Sequence, residues 1–237
     1  MDVIIAVSPP AIIAAKQASS TIPIVMAFWG GEGLVESGVI ASLARPGGNV
    51  TGVSMLAEDL EPKRLEYLLQ ALPRARIVGV LDPSHGDSYG DLRAVADRSG
   101  VQLRLVTVGQ ASDAYVRAFD ALKEARVEGL VVPSSPRLFQ DSRQIIDLAT
   151  ARHIPAIYEW PDMAEFGGLM AYGPTFAELN ARVASFVQRI LNGASPAVLA
   201  IEQPSKFELV VNLRTAKALG FTFPQSLLLR ADRVIGG

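Results

Sequence analysis

The sequence predicts an α/β protein built as two lobes, each a largely parallel sheet flanked by helices. Three observations predict it. Short β-branched or apolar runs recur at regular intervals along the 237 residues. Stretches with helical spacing lie between them. Several of the runs are continuously apolar, which suits parallel strands buried on both faces by helices.

The strand-like runs are residues 3–7, 23–27, 50–53, 77–81, 103–106, 129–132, 155–158, 169–172 and 207–211. Leu65, Leu68, Leu69 and Leu72 form an i, i+3, i+4, i+7 stripe, closed by Pro73, where a helix cannot continue. Tyr115, Phe119 and Leu122 predict a second helix, with Ser112 or Asp113 at its N-cap. Phe176, Leu179, Val183, Phe186, Val187, Ile190 and Leu191 make a longer stripe, stopped by Asn192-Gly193. Asn212 reads as the N-cap of a last short helix that ends at Leu219, with Gly220 just beyond it. Strands alternating with such helices imply right-handed βαβ units. The charged segment 58–64 opens an uninterrupted run of these units, and Gly167-Gly168 allows a sharp backbone change at its end. Residues 55–167 are therefore expected as one lobe, and residues 1–54 with 168–237 as the other. Two lobes joined in this way make a hinge, with a cleft lined by the carboxyl ends of the strands.

Composition removes several function classes. Lys and Arg total 22 against 24 Asp and Glu, a net charge of −2, which offers no electrostatic attraction for nucleic acid. With 49% hydrophobic and 19% charged residues the chain is globular in character. The absence of cysteine excludes disulfides, thiolate nucleophiles, Cys-ligated zinc and iron–sulfur clusters. No apolar run approaches the roughly 20 residues that span a bilayer. No charged and apolar leader pattern opens the chain, so none is expected in it.

Enzyme signatures are weak. There is no P-loop. Gly31-Glu32-Gly33 follows a strand, but Glu36 stands where a dinucleotide fingerprint needs a small residue. Around Ser54, Leu56 replaces the glycine that a nucleophile elbow requires. His85 lies in a turn-rich loop and His153 precedes a strand, too few for an acid–base pair or, with Asp87, for a metal shell. No catalytic residue, cofactor or metal is expected.

The loops after the strands form a different set: Ser8-Pro9-Pro10, Phe28-Trp29-Gly30-Gly31-Glu32, Asp82-Pro83-Ser84, Ser134-Ser135-Pro136, Tyr158-Glu159-Trp160 and Tyr172-Gly173-Pro174. Hydroxyls, turns and aromatics with few ionisable groups suit a binding pocket more than a proton-transfer site. Ser8, Ser134 and Ser135 are the expected donors to a ligand carboxylate or amide, with Pro9 and Gly30 in the same loops. Phe28, Tyr158 and Tyr172 are expected in an apolar wall, though Phe28 and Tyr158 suit core positions equally. Trp29 and Trp160 are assigned toward the cleft, Asp82 toward an amino group, and Glu159 either toward a ligand amine or to solvent.

Four stretches carry a resemblance: residues 41–52 (ASLARPGGNVTG), 155–158 (PAIY), 167–174 (GGLMAYGP) and 202–220 (EQPSKFELVVNLRTAKALG). Together they resemble the ABC-transporter substrate-binding proteins related to tryptophan and tyrosine uptake, over essentially the whole chain. The resemblance implies a type I periplasmic-binding fold, capture of a small solute between lobes, delivery to a membrane permease, and an extracytoplasmic location. Aromatic or branched-chain amino acids are the implied solutes. Pro46-Gly47-Gly48-Asn49 reads as a turn feeding the strand at Val50, and residues 202–220 as a strand and helix packed on the first lobe. Two departures stand out. About two β-α units that family members carry before Val3 are missing, so the first lobe is expected to be incomplete with an exposed strand edge: either the start is truncated, or another chain, such as a second copy, covers that surface. The Phe28–Gly33 loop is longer than the Gly-Asp-Pro turn of many relatives. The alternatives are an enzyme or small-molecule sensor on the same fold, or a truncated receptor that only oligomerises.

Overall fold

The computed structural model describes residues 2–29, 33–55, 57–83 and 89–237, with the side chains of residues 57–59 left aside. In chain order the elements are β1 (Ile4–Val7), α1 (Pro9–Ala18), β2 (Ile24–Phe28), β3 (Val50–Gly52), α2 (Ala57–Ala71), β4 (Ile77–Asp82), α3 (Gly90–Arg98), β5 (Gln102–Thr107) and α4 (Ala114–Glu124). There follow β6 (Gly129–Val131), α5 (Pro136–Gln140), α6 (Ser142–Ala151), β7 (Ala156–Tyr158), α7 (Pro161–Glu165), β8 (Met170–Gly173) and α8 (Phe176–Leu191). A 3₁₀ turn at Pro196–Val198 leads to β9 (Glu208–Asn212), α9 (Leu213–Ala218), α10 (Gln225–Leu228) and β10 (Arg233–Ile235). All nine expected strands form. The short β10 was not foreseen, because a three-residue run with Arg at its head carries no periodic signal.

Two compact units result: Met1–Glu58 with Pro174–Lys206, and Asp59–Gly173 with Phe207–Gly237. This division differs from the expected lobes at the C-terminal side. Residues 168–173 and 207–237 belong with the second unit. Met170 pairs with Ile157, and Leu169 and Met170 are buried in the same core as Val78, Val80 and Val131. Gly167-Gly168 makes no crossing between units; it ends α7, with Gly167 at φ 111° and the Gly168 amide donating to the Met163 carbonyl at 2.9 Å. The chain leaves the second unit only after Gly173 and returns at Phe207.

Unit 1 is a parallel sheet of order β1-β2-β3. Its core joins Ile12 of α1 to Ile24, Met26 and Val50. Helix α8 packs on β2 and β3 through the stripe read from the sequence, burying Leu179, Val183, Phe186 and Ile190. Asn192 is its C-cap, and Gly193 takes φ 94°, as the stop signal required. Gly47 adopts φ 77° in the turn before β3, and the Asn49 side-chain amide ties that turn to the carbonyls of Ser19 and Ile22. On the outer strand β1, Ile5 and Val7 are 55% and 60% exposed.

Unit 2 is a seven-stranded sheet of order β10-β9-β8-β7-β6-β4-β5. Strands β8, β7, β6, β4 and β5 run parallel, whereas β9 is antiparallel to β8, with Gly173 opposite Glu208. The reversal follows from the connection: the chain re-enters at the end of the sheet where β8 stopped, so β9 runs back along it. Strand β9 joins this sheet and helix α9 lies in the same unit, so of the residues 202–220 expected on the first lobe, 202–206 lie with unit 1 and the strand and helix from Phe207 onward belong to unit 2. Asn212 is the N-cap of α9, its side-chain oxygen accepting from the amides of Arg214 and Thr215 at 3.0 and 3.2 Å. Asp113 occupies the N-cap of α4 but makes no capping hydrogen bond.

Candidate functional site

The order β8-β7-β6-β4 sets four parallel strands side by side, so their carboxyl ends share one edge of unit 2. Tyr172 lies in β8, Glu159 directly follows β7, Ser134 lies three residues beyond β6 and Asp82 ends β4. Four residues chosen from separate loops thus stand at consecutive positions on the edge where open α/β sheets place ligands.

The polar groups on that edge form one network with two residues of α2. Glu61 and Arg64 are one helical turn apart and project from the same side of it. Arg64 Nη1 donates to Glu61 Oε1 at 2.8 Å, and Arg64 Nε donates to the Tyr172 carbonyl at 2.8 Å. The Ser134 amide donates to the same Glu61 oxygen at 2.8 Å, and the Ser134 hydroxyl donates to Glu159 Oε1. Arg64 is fully buried, Glu159 is 2% exposed and Glu61 6%. Burial raises the Glu61 carboxyl above the ordinary range against the pull of Arg64 and the Ser134 amide. The same cause pushes Glu159 up to about 7, with the negative charge of Glu61 adding to it, while Arg64, the Ser134 hydroxyl and the Trp160 indole oppose. Arg64 Nη2 and Glu61 Oε2 find no hydrogen-bond partner among the described residues.

The expected ligand donors are engaged internally. Ser134 spends both its amide and its hydroxyl in the network, and Ser135 is the N-cap of α5, its hydroxyl oxygen accepting from the Leu138 amide at 3.5 Å. Glu159 is enclosed, so its expected place in solvent is corrected; desolvation and the Ser134 contact decide its behaviour. Asp82 is buried and accepts from the Tyr89 hydroxyl at 3.3 Å. Tyr158 is 1% exposed and sits in the core, one of the two roles the sequence left open; burial raises its hydroxyl. Trp160 is 4% exposed, edge-on to Phe139. Tyr172 is half-buried, its ring between Tyr67 at 4.9 Å and Phe207 at 6.2 Å. Glu61 and Arg64 were missed. Their spacing inside a charged segment looks like an ordinary solvated helix face, and only the fold turns that face inward.

In unit 1, Ser8 follows β1 and Phe28 and Trp29 end the neighbouring β2. Ser8 is the N-cap of α1 at φ 96°, ψ 146°, a conformation suited to glycine, and its side chain makes no capping bond. Pro9 opens the helix. Phe28 and Trp29 are buried, and the Trp29 indole nitrogen has no hydrogen-bond partner among the described residues. Gly30 and Glu32, like His85 and Asp87, lie outside the described residues. His153 closes α6 at φ 53°. Among the described residues no group of three or more His, Asp or Glu side chains is placed to hold a metal ion, and no helix is long and apolar enough to cross a membrane.

A family model described as ABC transporter substrate binding protein matches residues 1–235. The chain is 27% identical over 221 residues to the tyrosine-binding protein of Clostridioides difficile strain R20291, covering 92% of this chain and 63% of that protein. It therefore spans less than two thirds of that relative's length. Among solved structures, the ABC domain from Streptococcus pneumoniae in complex with L-Trp matches with a TM-score of 0.83 at 23% identity, over 99% of this chain and 81% of that one. A conserved domain protein from Vibrio cholerae matches with a TM-score of 0.85 at 24% identity, over 98% and 78% respectively. These two likenesses show the fold, the type I arrangement of parallel sheets flanked by helices.

Proposed function

Because the chain belongs to the ABC transporter substrate binding protein family, we propose that it is the solute receptor of a membrane importer, binding an amino acid, aromatic by preference, without transforming it. The observation that carries this reading is the alignment of Asp82, Ser134, Glu159 and Tyr172 along one carboxyl edge of the unit 2 sheet. That edge sets the half-buried aromatic ring of Tyr172 beside the network of Glu61, Arg64, Ser134 and Glu159, the mixture of aromatic surface and a few polar groups that suits a small-molecule pocket. The bound molecules named for the relatives, tryptophan and tyrosine, support the solute class. Ser8 and the aromatic pair Phe28 and Trp29 are the unit 1 candidates for solute contact. Delivery to a membrane permease and an extracytoplasmic location complete the proposal, on the strength of family membership.

Thermal unfolding against a panel of L-tryptophan, L-tyrosine, L-phenylalanine and L-leucine tests it. A ligand of the folded state stabilises by about 2.7 kcal/mol at a hundred times its Kd. The expected result is a concentration-dependent rise in Tm with at least one aromatic member, the amino acid being recovered unchanged. No shift with any member, or conversion of one of them, overturns the reading.

A further inference from the structure

Unit 2 encloses two carboxylates and one guanidinium. Glu61 and Glu159 both accept from Ser134, one from its amide and the other from its hydroxyl, so a single residue holds the two acids together. Of the two carboxylates, Arg64 is paired with that of Glu61, at 2.8 Å. With all three groups ionised the cluster carries one uncompensated negative charge inside the protein, which desolvation strongly disfavours. One proton restores neutrality. Its place is set by geometry: Glu61 Oε1 receives two donors, one of them cationic, whereas Glu159 Oε1 receives a neutral hydroxyl.

The cluster also holds the strand through which the chain leaves unit 2. Arg64 Nε donates to the Tyr172 carbonyl, and Gly173 packs so closely on the Glu159 backbone that a Cβ there would overlap the Glu159 carbonyl oxygen. The same imagined Cβ would lie 3.6 Å from Arg64 Nη2, the guanidinium nitrogen without a partner among the described residues. That unspent N–H is thus beside the segment that carries Glu159. The ionisable groups acting on Glu159 are Glu61 and Arg64, both from α2, with the Ser134 hydroxyl and the Trp160 indole as its uncharged partners.

We propose that this cluster binds one proton, on Glu159, and that releasing it draws Arg64 from the Tyr172 carbonyl toward the second carboxylate, loosening the exit of β8. The proton passes from the Glu159 carboxyl group to bulk water, leaving an anion for which Arg64 Nη2 is the available donor. The sign follows from the raised carboxyl. A group that holds its proton more tightly when folded contributes stability that is complete below the unfolded value of 4.5 and lost as pH rises through about 7. This device is independent of which solute the protein binds.

The experiment compares wild type with Glu159→Gln, an isostere that keeps an oxygen for Ser134 and cannot ionise. Chemical unfolding is measured from pH 4.5 to 8.5, and the quantity read is the difference between the two curves, in which the other carboxylates cancel. Wild type should lose on the order of a hundredfold in folding constant relative to the variant across that window. Parallel curves overturn the proton site. Ser134→Ala, which removes the hydroxyl that favours the anion, provides a second reading if the first variant fails to fold: the infrared band of the protonated carboxyl should persist to higher pH than in wild type, and an unmoved band overturns the proposal. Hydrogen exchange of peptides covering residues 170–173, corrected for intrinsic rates, should rise above pH 7 in wild type and not in Glu159→Gln. Equal exchange in both overturns the coupling to Arg64.

Discussion

Arg64, fully buried on the first helix of unit 2, donates from Nε to the backbone carbonyl of Tyr172 at 2.8 Å, across 108 residues of sequence. The contact joins helix α2 to the last strand before the chain crosses out of the unit, and its charge is balanced by Glu61. A buried guanidinium is kept only where its partners are in place, so the residue ties local helix geometry to the path of the chain.

Replacing that guanidinium leaves Glu61 as an uncompensated buried charge. Arg64→Met should lower stability by about 3–5 kcal/mol, the usual cost of breaking a buried pair from one side. Adding Glu61→Gln to the same chain should recover part of the loss. Urea unfolding of the two variants measures both values; a single variant within 1 kcal/mol of wild type, on the order of an exposed pair, contradicts the account.

Gly173 has no room for a side chain, because a Cβ would overlap the Glu159 carbonyl oxygen, a backbone atom with no rotamer to yield. Gly173→Ala should cost on the order of 1–3 kcal/mol through overpacking. Gly193→Ala, at φ 94° with open space around it, should cost about 1 kcal/mol from backbone strain alone. Paired melting curves distinguish the two mechanisms by size.

Asn212 carries two duties at the start of α9. Its side-chain oxygen caps the helix, and its Nδ2 donates to the Ala164 carbonyl at 2.9 Å. Asn212→Ala should cost about 2 kcal/mol, roughly one for the cap and one for the buried bond. Asn212→Asp keeps the capping oxygen and loses the second contact, and denaturant midpoints should place it between the two.

Ser8 takes a glycine-like conformation, so its side chain is carried at a cost of about 1–3 kcal/mol. Ser8→Gly should unfold at a higher temperature than Ser8→Ala by the equivalent of about 1 kcal/mol, since both lack the hydroxyl and only one relieves the backbone. Loss of solute-induced stabilisation in both variants assigns the hydroxyl to the solute; retention in both assigns it elsewhere.

The first nine strands and the stripe of α8 are legible in the sequence because apolar periodicity is a local property. The place of residues 207–237 is not. Their pattern specifies a strand and a helix equally well beside either unit, and only the pairing of Leu209 with Tyr172 decides which. The site was half legible for a similar reason. Tyr172, Glu159, Ser134 and Asp82 follow strand ends and can be found by reading loops, whereas Glu61 and Arg64 belong to a charged helical turn that resembles any solvated face. The hydroxyls of Ser134 and Ser135 suggest ligand donors in the sequence, yet a hydroxyl beside a helix start or a buried acid is satisfied within the fold first.

Calorimetric titration of the purified protein with L-tryptophan and L-tyrosine tests the central claim most directly. The account predicts saturable binding of one amino acid per chain, with the ligand recovered chemically unaltered. Absence of heat with either amino acid, together with no rise in Tm across the panel, or the appearance of a reaction product, would contradict it.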